Sequence, residues 1–448
     1  MKYSKIVHVY DDLSKTNVTN MEINAPFPEP HPQLWFCSMG EKYHTKQKLS
    51  EIDFENNKDT LYCYIVEPYG DFGYFIGITQ RGQVPVIEKI RQDIIDKLNN
   101  IPNFYFMIQT KHEGTYHDSD FQQIQNQLIK KKIPLRKTIL NILTSWYVKD
   151  VYNSYLKRIK SNDPMIISLF PTFFIHKGEE LVRNNFYDEN NIENYLQQPR
   201  EKLFLYYNRR IRKPHRIILL LLMYKHNMFD NNLVSYNLED FIEEKQQMSE
   251  LDYGAFTENK DEYSSFLSLF SENDWNTLYP KFKETKRRLI DVEDWERLNG
   301  FGYEFPETYL KSYISIVSES MFFEPHRYNS EKPYKSMAHF HPFILVGGAF
   351  TLKNLKEQGF KTFDKWWDES YDNELDNNKR LLKIWKLICE LNNKSLKEIH
   401  QMYQEMIPTL IHNYKVLKNA GLNMKDLYKK YYDDNIIQEV ENYDKENN

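Results

Sequence analysis

The chain has 448 residues, of which 41% are hydrophobic, 15% aromatic and 27% charged. This length permits two or three domains, and so much aromatic side chain excludes a globally disordered protein. The formal net charge of −5 argues against a generally nucleic-acid-binding protein, so any basic site must be local.

The three cysteines, Cys37, Cys63 and Cys389, are far apart and form no CxxC pair. This spacing indicates neither a zinc site nor a disulfide framework, and it favours a reducing compartment. The longest strongly apolar run, residues 217–223, is too short to span a bilayer. Residues 1–11 carry no signal-peptide core, so we expect a cytoplasmic protein with no transmembrane segment.

The first 200 residues have the pattern of a mixed α/β domain. Short apolar runs rich in β-forming residues predict strands at 61–67, 104–109 and 165–170. Apolar residues three and four positions apart predict helices at 87–99 and 137–159.

The next part of the chain alternates strands with helices. Strands are predicted at 202–207, 233–236, 313–317 and 342–346, and helices at 214–224, 334–340 and 352–358. Pro214 is typical of a first helical turn, and Gly359 of a helix end. The alternation predicts a parallel, doubly wound sheet, in which ligands bind outside the carboxyl ends of the strands.

The last part of the chain is predicted to be helical, at 379–391 and at 395–417 with a kink at Pro408. The polar tail after Asp433 is expected to be frayed. We therefore predict an α/β domain over residues 1–200, a second α/β domain over 201–375 and a helical segment over 376–448.

A basic cluster lies between the strand at 202–207 and the helix that follows. Asn208 opens it, and its cations are Arg209, Arg210, Arg212, Lys213 and Arg216. The helix N-terminus adds free N–H groups and a partial positive charge. This combination predicts an anion site suited to a diphosphate; the alternative is a solvated basic turn.

A second candidate segment follows the strand at 313–317. Its residues are Glu319, Tyr328, Asn329, Ser330, Glu331 and Lys332. A carboxylate can accept both ribose hydroxyls while an ammonium meets phosphate oxygens, so Glu331 and Lys332 suit a nucleoside diphosphate. The alternative is that Ser330 begins an ordinary helix cap.

Together these segments resemble the donor-binding half of the α-1,3-fucosyltransferase family. That family has Phe-Glu-Asn-Ser at a strand end, then Tyr-(Ile/Val)-Thr-Glu-Lys, a helix, and a strand ending in Pro-Val-(Val/Ile)-x-Gly. This chain has Ser318-Glu319-Ser320, then Tyr-Asn-Ser-Glu-Lys at 328–332, a helix, and Pro-Phe-Ile-Leu-Val-Gly at 342–347. The resemblance covers residues 201–380, and the N-terminal half has no recognised motif.

The resemblance implies a GT-B-like α/β fold, with two Rossmann-like lobes facing a cleft. It makes residues 1–200 the acceptor-side domain and residues 201–375 the nucleotide-sugar-binding domain. In that family the motif Glu and Lys contact the ribose and phosphates of a GDP sugar, and the Tyr and an upstream Arg line the donor site. By resemblance Glu319 lies near the transferred sugar. The expected donor-binding residues are Asn208, Arg209, Arg216, Glu319, Tyr328, Ser330, Glu331 and Lys332.

The implied activity is transfer of a sugar from a nucleotide-sugar donor, with a GDP-sugar and a fucose-like sugar favoured, to a glycan or other hydroxyl acceptor. No cofactor is expected beyond the donor itself. Ser320 stands where the family has Asn, Ser330 where it has Thr, and the spacer contains residues 325–327, Pro-His-Arg. These departures leave the identity of the sugar open.

Residues 355–372 resemble a stretch that recurs in glycosyltransferase-like proteins of phages and large DNA viruses, which implies the cytoplasm of a host cell. We expect Trp366 and Trp367 within it to be packing residues.

An inverting transfer needs a carboxylate base on the acceptor side. Glu67, just past residues 61–66 of the predicted strand, is the first candidate and Asp71 the second; alternatively, Glu67 caps a turn. Fixed cations can stabilise the departing diphosphate, so no metal is required in principle.

Other chemistry-bearing residues favour structural roles. Asp118 and Asp120 resemble a metal-binding Asp-x-Asp pair, but they precede a helical run and fit a helix cap better. His112 and His117, and His339 and His341, lack the spacing of metal ligands, so we predict structural or site-lining roles and no metal site. The chain has no Gly-x-Gly-x-x-Gly and no P-loop, which disfavours a dinucleotide oxidoreductase and a P-loop kinase.

Three alternatives stay open. The protein could bind a glycan or nucleotide without turnover, or be a structural virion component on the same fold. It could also glycosylate modified bases of phage or viral DNA, with the basic residues 130–137 on phosphates; a nucleic-acid partner is the less favoured reading.

Overall fold

The structure is a computed structural model that describes residues 2–10, 45–66, 87, 90–110, 118–142, 148–170, 172–188, 191–211, 213–238, 268–290, 306–322 and 329–447. Contacts between Cα atoms divide the chain into two compact units. The first unit comprises residues 1–172 and 423–448, and the second comprises residues 173–422.

The first unit is built on a six-stranded sheet in which every described pairing is parallel, in the order β2-β1-β3-β4-β5-β6. Its strands are β1 (Lys5–Tyr10), β2 (Lys46–Lys48), β3 (Thr60–Val66), β4 (Phe104–Thr110), β5 (Thr138–Ile142) and β6 (Ile166–Leu169). Parallel sheets are normally covered on both faces, which explains why β3 and β5 are buried throughout.

One face of this sheet packs against three helices, α1 (Gln92–Asn100), α2 (Asp118–Lys130) and α3 (Val148–Ile159). Alternate residues of β3, such as Tyr62 and Tyr64, share a core with the apolar stripes of these helices. The sequence places those apolar residues three and four positions apart, so each helix has one face to bury.

The other face is covered by the end of the chain, which forms α13 (Met424–Tyr428), a π-helical turn (Lys429–Asp433) and α14 (Asp434–Asn447). The Tyr432 hydroxyl donates to Gln109 Oε1 at 2.7 Å. Ile436, Ile437 and Val440 are buried. The prediction of a frayed tail after Asp433 is therefore wrong, because these apolar residues need the sheet to leave water.

The second unit holds a five-stranded sheet in the order β11-β10-β7-β8-β9. Its strands are β7 (Lys202–Arg210), β8 (Leu233–Asn237), β9 (Arg287–Arg288), β10 (Ser312–Ser318) and β11 (Phe343–Val346). All pairings are parallel except that of β8 with β9. An α/β chain with two Rossmann-like sheets is therefore confirmed.

The helices of the second unit follow its strands or precede them. They are α4 (Thr172–Asn184), α5 (Ile192–Gln197), α6 (Pro214–Lys225), α7 (Glu272–Glu284), α8 (Pro306–Lys311), α9 (Glu331–Ala338), α10 (Thr351–Glu357), α11 (Asn377–Asn392) and α12 (Leu396–Leu422). Gly359, at φ +92°, ends α10 as predicted. Helix α12 continues through Pro408.

The unit boundaries differ from the domain limits predicted at residues 200 and 376. Helices α4 and α5 belong to the second unit because they pack on it: the Tyr187 hydroxyl lies 2.7 Å from His339 Nδ1, and Gln404 Nε2 donates to Leu196 O at 3.0 Å. Helices α11 and α12 also belong to the second unit, and the residues after Leu422 return to the first.

Four strands were not predicted from the sequence. Strands β2 and β9 have only three and two residues, and β1 lies in N-terminal residues for which no element was predicted. Strand β5 occupies the start of the region predicted as a helix over 137–159. Among the described residues of that region, the α-helical part is α3. A short buried run has no distinguishing period, so a strand such as TILNI cannot be separated from a helix by periodicity alone.

Candidate functional site

The predicted donor residues converge at the carboxyl edge of the second sheet. Strands β7, β10 and β11 are parallel neighbours, so their carboxyl ends meet at one edge. Helix α6 follows β7 and α9 follows β10, which brings two helix N-termini to the same edge. Open α/β sheets bind their ligands at this edge.

Glu319 is the first residue after β10 and has 0% of its surface exposed. Its backbone N–H donates to Val346 O at 2.9 Å, which fixes it beside the end of β11. Its Oε1 accepts the backbone N–H of Ser330 at 2.9 Å. Among the described residues its Oε2 has no hydrogen-bond partner, and it lies 3.8 Å from Lys332 Nζ. Burial raises the pKa of this carboxyl, and Lys332 opposes that rise.

Ser330 is the N-cap of α9, and Lys332 lies in the first turn of that helix. The Ser330 hydroxyl accepts from the Lys332 backbone N–H at 3.3 Å and from its Nζ at 2.9 Å. The Lys332 ammonium is also 3.3 Å from Glu331 Oε1, and its side chain is 28% exposed. The ammonium is therefore held in place and still meets solvent.

Glu331 is ionised at neutral pH. Burial alone would raise its pKa, but the positive charges of Lys332 and Lys335, a backbone N–H and Lys177 lower the pKa of Glu331 to about 2. An ionised carboxylate beside a solvent-facing ammonium can accept hydrogen bonds from two hydroxyl groups while the ammonium binds an anionic oxygen.

Arg216 lies in the first turn of α6, where only 7% of it is exposed. Its Nη2 donates to Ser318 O at the end of β10, at 2.8 Å, and the amide of Asn208 donates to Arg216 O at 3.3 Å. The guanidinium thus ties the start of α6 to the strand that leads to Glu319.

His215 makes a second link between α6 and β10. Its Nε2 donates to Glu319 O at 2.9 Å, since a carbonyl can only accept. Its ring stacks on Phe322 with centroids 5.1 Å apart. Burial and the neighbouring Arg216 hold the pKa of His215 well below its usual value, so the imidazole is neutral.

The structure brings six predicted donor residues into one neighbourhood: Asn208, Arg216, Glu319, Ser330, Glu331 and Lys332. Tyr328 and the two base candidates, Glu67 and Asp71, lie outside the described residues, as does the side chain of Arg209. Whether the six bind a donor stays a prediction.

Sequence reasoning missed the buried support behind this edge, which consists of His215, Phe322 and Arg380. Arg380 Nε donates to Gly347 O at 3.1 Å, and its guanidinium lies 4.6 Å from the Phe322 ring centroid. No local pattern identifies Arg380, because it sits in a helical stretch rich in charged residues. The nearest signal was its position at the end of the resembling region.

Residues 355–372 begin in the last turn of α10 and return to its first turn at Asp372. The carboxylate of Asp372 accepts the backbone N–H groups of Leu352 and Lys353 at 2.8 and 3.0 Å and so caps that helix. Trp367 is buried against Phe363, with ring centroids 5.2 Å apart. The expected packing role of Trp367 is confirmed.

The remaining candidates have structural surroundings. His339 and His341 are buried, and His341 Nδ1 lies 2.7 Å from Ser315 Oγ. Asp118 begins α2 and pairs with Arg158. Within the basic residues 130–137, the ammonium of Lys137 is bound by the carbonyls of Ile101 and Pro102.

No helix in the described ranges is both long and apolar enough to cross a membrane. No group of three or more His, Cys, Asp and Glu side chains in them is placed to hold a metal ion.

The sheets define an α/β protein with two Rossmann-like units, the second of which carries the candidate site. No protein-family model matches the chain, and no curated protein matches it.

Solved structures with a similar backbone include three trehalose-phosphate synthases. The UDP-forming enzymes of Burkholderia vietnamiensis and Burkholderia xenovorans both have TM-score 0.37, at 12% and 10% identity, over 83% of this chain and 74% of theirs. The enzyme of Burkholderia multivorans has TM-score 0.34 and 10% identity, over 96% of this chain and 99% of its own. Because these TM-scores and identities are low, the class of the fold is assigned from the order and direction of the strands.

Proposed function

We infer that this protein is a glycosyltransferase of the GT-B type, which moves a sugar from a nucleotide-sugar donor to a hydroxyl acceptor. The observation that supports this most is the Glu331–Lys332 pair: an ionised carboxylate and a solvent-facing ammonium, 3.3 Å apart, where β10 ends and α9 begins. Ribose hydroxyls suit the carboxylate, and the diphosphate suits the ammonium and the helix N-terminus.

The reaction would be a single displacement. The acceptor hydroxyl oxygen forms a bond to the anomeric carbon, its proton passes to a carboxylate base, and the bond from the anomeric carbon to the diphosphate oxygen breaks. The diphosphate leaves with the electron pair and is stabilised by Lys332. Glu67 is the first candidate for the base and Asp71 the second.

The finer assignments are also proposals. A GDP sugar, with fucose as the leading sugar, rests on the resemblance of residues 318–320 and 328–332 to the fucosyltransferase pattern. Glycans are the favoured acceptors, and a nucleic-acid acceptor with the basic residues 130–137 on its phosphates is the less favoured alternative.

The test is turnover. The purified protein should be incubated with a panel of nucleotide sugars that includes GDP- and UDP-linked donors, with and without a pool of oligosaccharide acceptors. Release of a nucleoside diphosphate that depends on one donor is expected. A protein that binds a nucleoside diphosphate but releases none from any donor would be a binding protein on this fold, which is the non-catalytic alternative.

A further inference from the structure

We propose that Glu319 is a positioning residue, which aims the Lys332 ammonium at the diphosphate of the donor and does not itself touch the transferred sugar. The inference rests on the proposed function and assigns to Glu319 a role different from the one that the resemblance implied.

The first observation is that Glu319 is enclosed. None of its surface is exposed, and its Oε1 is already taken by the backbone N–H of Ser330. Gly347 lies close to another side of it, since a Cβ added at Gly347 would be in contact with Glu319 Cγ, at 3.4 Å. A carboxylate that is fully buried at the ends of β10 and β11 has no exposed surface that a sugar could contact.

The second observation is the geometry around Lys332. Its Nζ lies 2.9 Å from Ser330 Oγ, 3.3 Å from Glu331 Oε1 and 3.8 Å from Glu319 Oε2. Two of these oxygens belong to the first residues of α9, which move with Lys332. The third comes from the end of β10 and anchors the ammonium to the sheet.

The third observation concerns the second carboxylate oxygen of Glu319, Oε2. Glu319 Oε2 is buried and has no hydrogen-bond partner among the described residues, so a cation nearby is needed to offset the cost of its charge. Among the described residues, Lys332 is the cation within 4 Å of it. In a site of low polarity this attraction acts over 3.8 Å far more strongly than it would in water.

The N-cap residue Ser330 and the ammonium of Lys332 therefore both depend on the Glu319 side chain. Glu319 holds the cap through the Ser330 N–H and the ammonium through its charge. Its loss should weaken the binding of the diphosphate, whether or not a sugar is attached. A residue that contacts the sugar would instead weaken only the binding of the nucleotide sugar.

The experiment compares two ligands by isothermal titration calorimetry: GDP-fucose and GDP, or the corresponding pair if the donor panel shows turnover of another nucleotide sugar. Glu319→Gln keeps the shape and an acceptor for the Ser330 N–H but removes the charge. We expect both affinities to fall by the same factor, roughly tenfold or more, as for a lost charge-assisted contact. Glu369→Gln, at another buried carboxylate of the second unit, should leave both affinities unchanged.

A double-mutant cycle with Lys332→Ala isolates the coupling. If Glu319 acts through Lys332, adding Glu319→Gln to Lys332→Ala should cost little further affinity. Should Glu319→Gln fail to fold, Glu319→Asp gives the same test, since it draws the charge back by one methylene, and both affinities should fall alike.

Three results would overturn this role: unchanged affinity in the Glu319 variants, a loss confined to the nucleotide sugar, or losses that add fully with that of Lys332→Ala. A wild-type protein that binds neither ligand would overturn the proposed function itself and this role with it.

Discussion

At the residue scale, Glu369 and Glu331 are both carboxylates that the second unit takes out of water, and their neighbours move their pKa values in opposite directions. Burial raises the pKa of Glu369 to about 7, against the hydrogen bonds from Thr362 Oγ1 and Phe363 N. At Glu331 the lysines outweigh burial and lower the pKa to about 2. Charge placement, and not burial alone, decides which carboxylate is ionised.

Glu369 should make the protein less stable as pH rises. The folded state keeps a proton on this group up to about pH 7, whereas the unfolded chain releases it near the ordinary pKa of 4.5. The folded state therefore binds more protons between these values, and stability falls across that window. Glu369→Gln mimics the protonated form and should remove this fall, gaining roughly 3 kcal/mol over the wild type between about pH 4.5 and about pH 8.

Urea denaturation of both proteins across this pH range measures the difference. Glu390→Gln removes the same charge from an exposed position and should leave the pH dependence unchanged. Parallel pH profiles for wild type and Glu369→Gln would show that Glu369 is ionised in the folded protein throughout.

Sequence reasoning could group the candidate residues that are neighbours in the chain. Glu331 and Lys332 are adjacent, and a serine just before a helical run, such as Ser330, is typical of an N-cap. It could not foresee that Arg216 would be covered and bound to Ser318 O, because that contact joins residues 102 positions apart. Arg380 was missed for the same reason: its carbonyl partners at Gly347 and Phe322 are distant in the chain.

At the element scale, helices α4 and α12 cross at two glycines. A Cβ added at Gly178 would lie 2.4 Å from Leu417 O and 2.5 Å from Gly421 N. One added at Gly421 would lie 2.1 Å from Gly178 O. Real Cβ atoms do not come so close to backbone, so the crossing requires glycine on both helices.

Gly178→Ala separates this packing from helix propensity. Propensity alone favours Ala over Gly in a helix by about 1 kcal/mol. The backbone of α12 leaves no room for the methyl group, so we expect a net loss of roughly 2 kcal/mol or more. The free energy of unfolding from urea denaturation decides the sign, with Arg183→Ala as an exposed control on α4. A Gly178→Ala protein as stable as the wild type would mean that the helices do not cross so closely.

The elements that the sequence predicted well are those with flanking signals. Pro214 begins α6 and Gly359 ends α10, while the apolar runs of β3, β4, β7 and β10 are bounded by polar residues. Strand β5 was not predicted, because its sequence has no alternating hydrophobic pattern and no turn-forming residues at its ends. The glycine crossing left no local signal, since Gly178 and Gly421 meet only after folding.

At the scale of the whole molecule, the chain returns to its beginning. After Leu422 it rejoins the first unit, where Glu441 accepts the Tyr3 backbone N–H at 3.1 Å and Lys149 Nζ lies 2.6 Å from Glu439 Oε2. The end of the chain is thus part of the first core. The division predicted from the sequence gave each domain one continuous segment, whereas the first unit consists of two segments that are far apart in the chain.

Deletion of residues 434–448 should therefore unfold the first unit. It removes Ile436, Ile437 and Val440, and burial of three such side chains contributes roughly 5 kcal/mol, which approaches the stability of a typical domain. Differential scanning calorimetry should show loss of one unfolding transition. Deletion of residues 446–448 is the matched control. An unchanged thermogram for the longer deletion would restore the expectation of a frayed tail.

The most direct test of the account is isothermal titration calorimetry of a nucleoside diphosphate into the wild-type protein, Lys332→Ala and Lys202→Ala. Lys202 carries the same charge at the opposite edge of the same sheet, where its Nζ donates to Asp230 O at 2.7 Å. The account predicts that Lys332→Ala loses about 1.5–3 kcal/mol of binding free energy, whereas Lys202→Ala binds as the wild type does. Equal affinity in the wild type and Lys332→Ala would contradict it, since the diphosphate would then bind elsewhere.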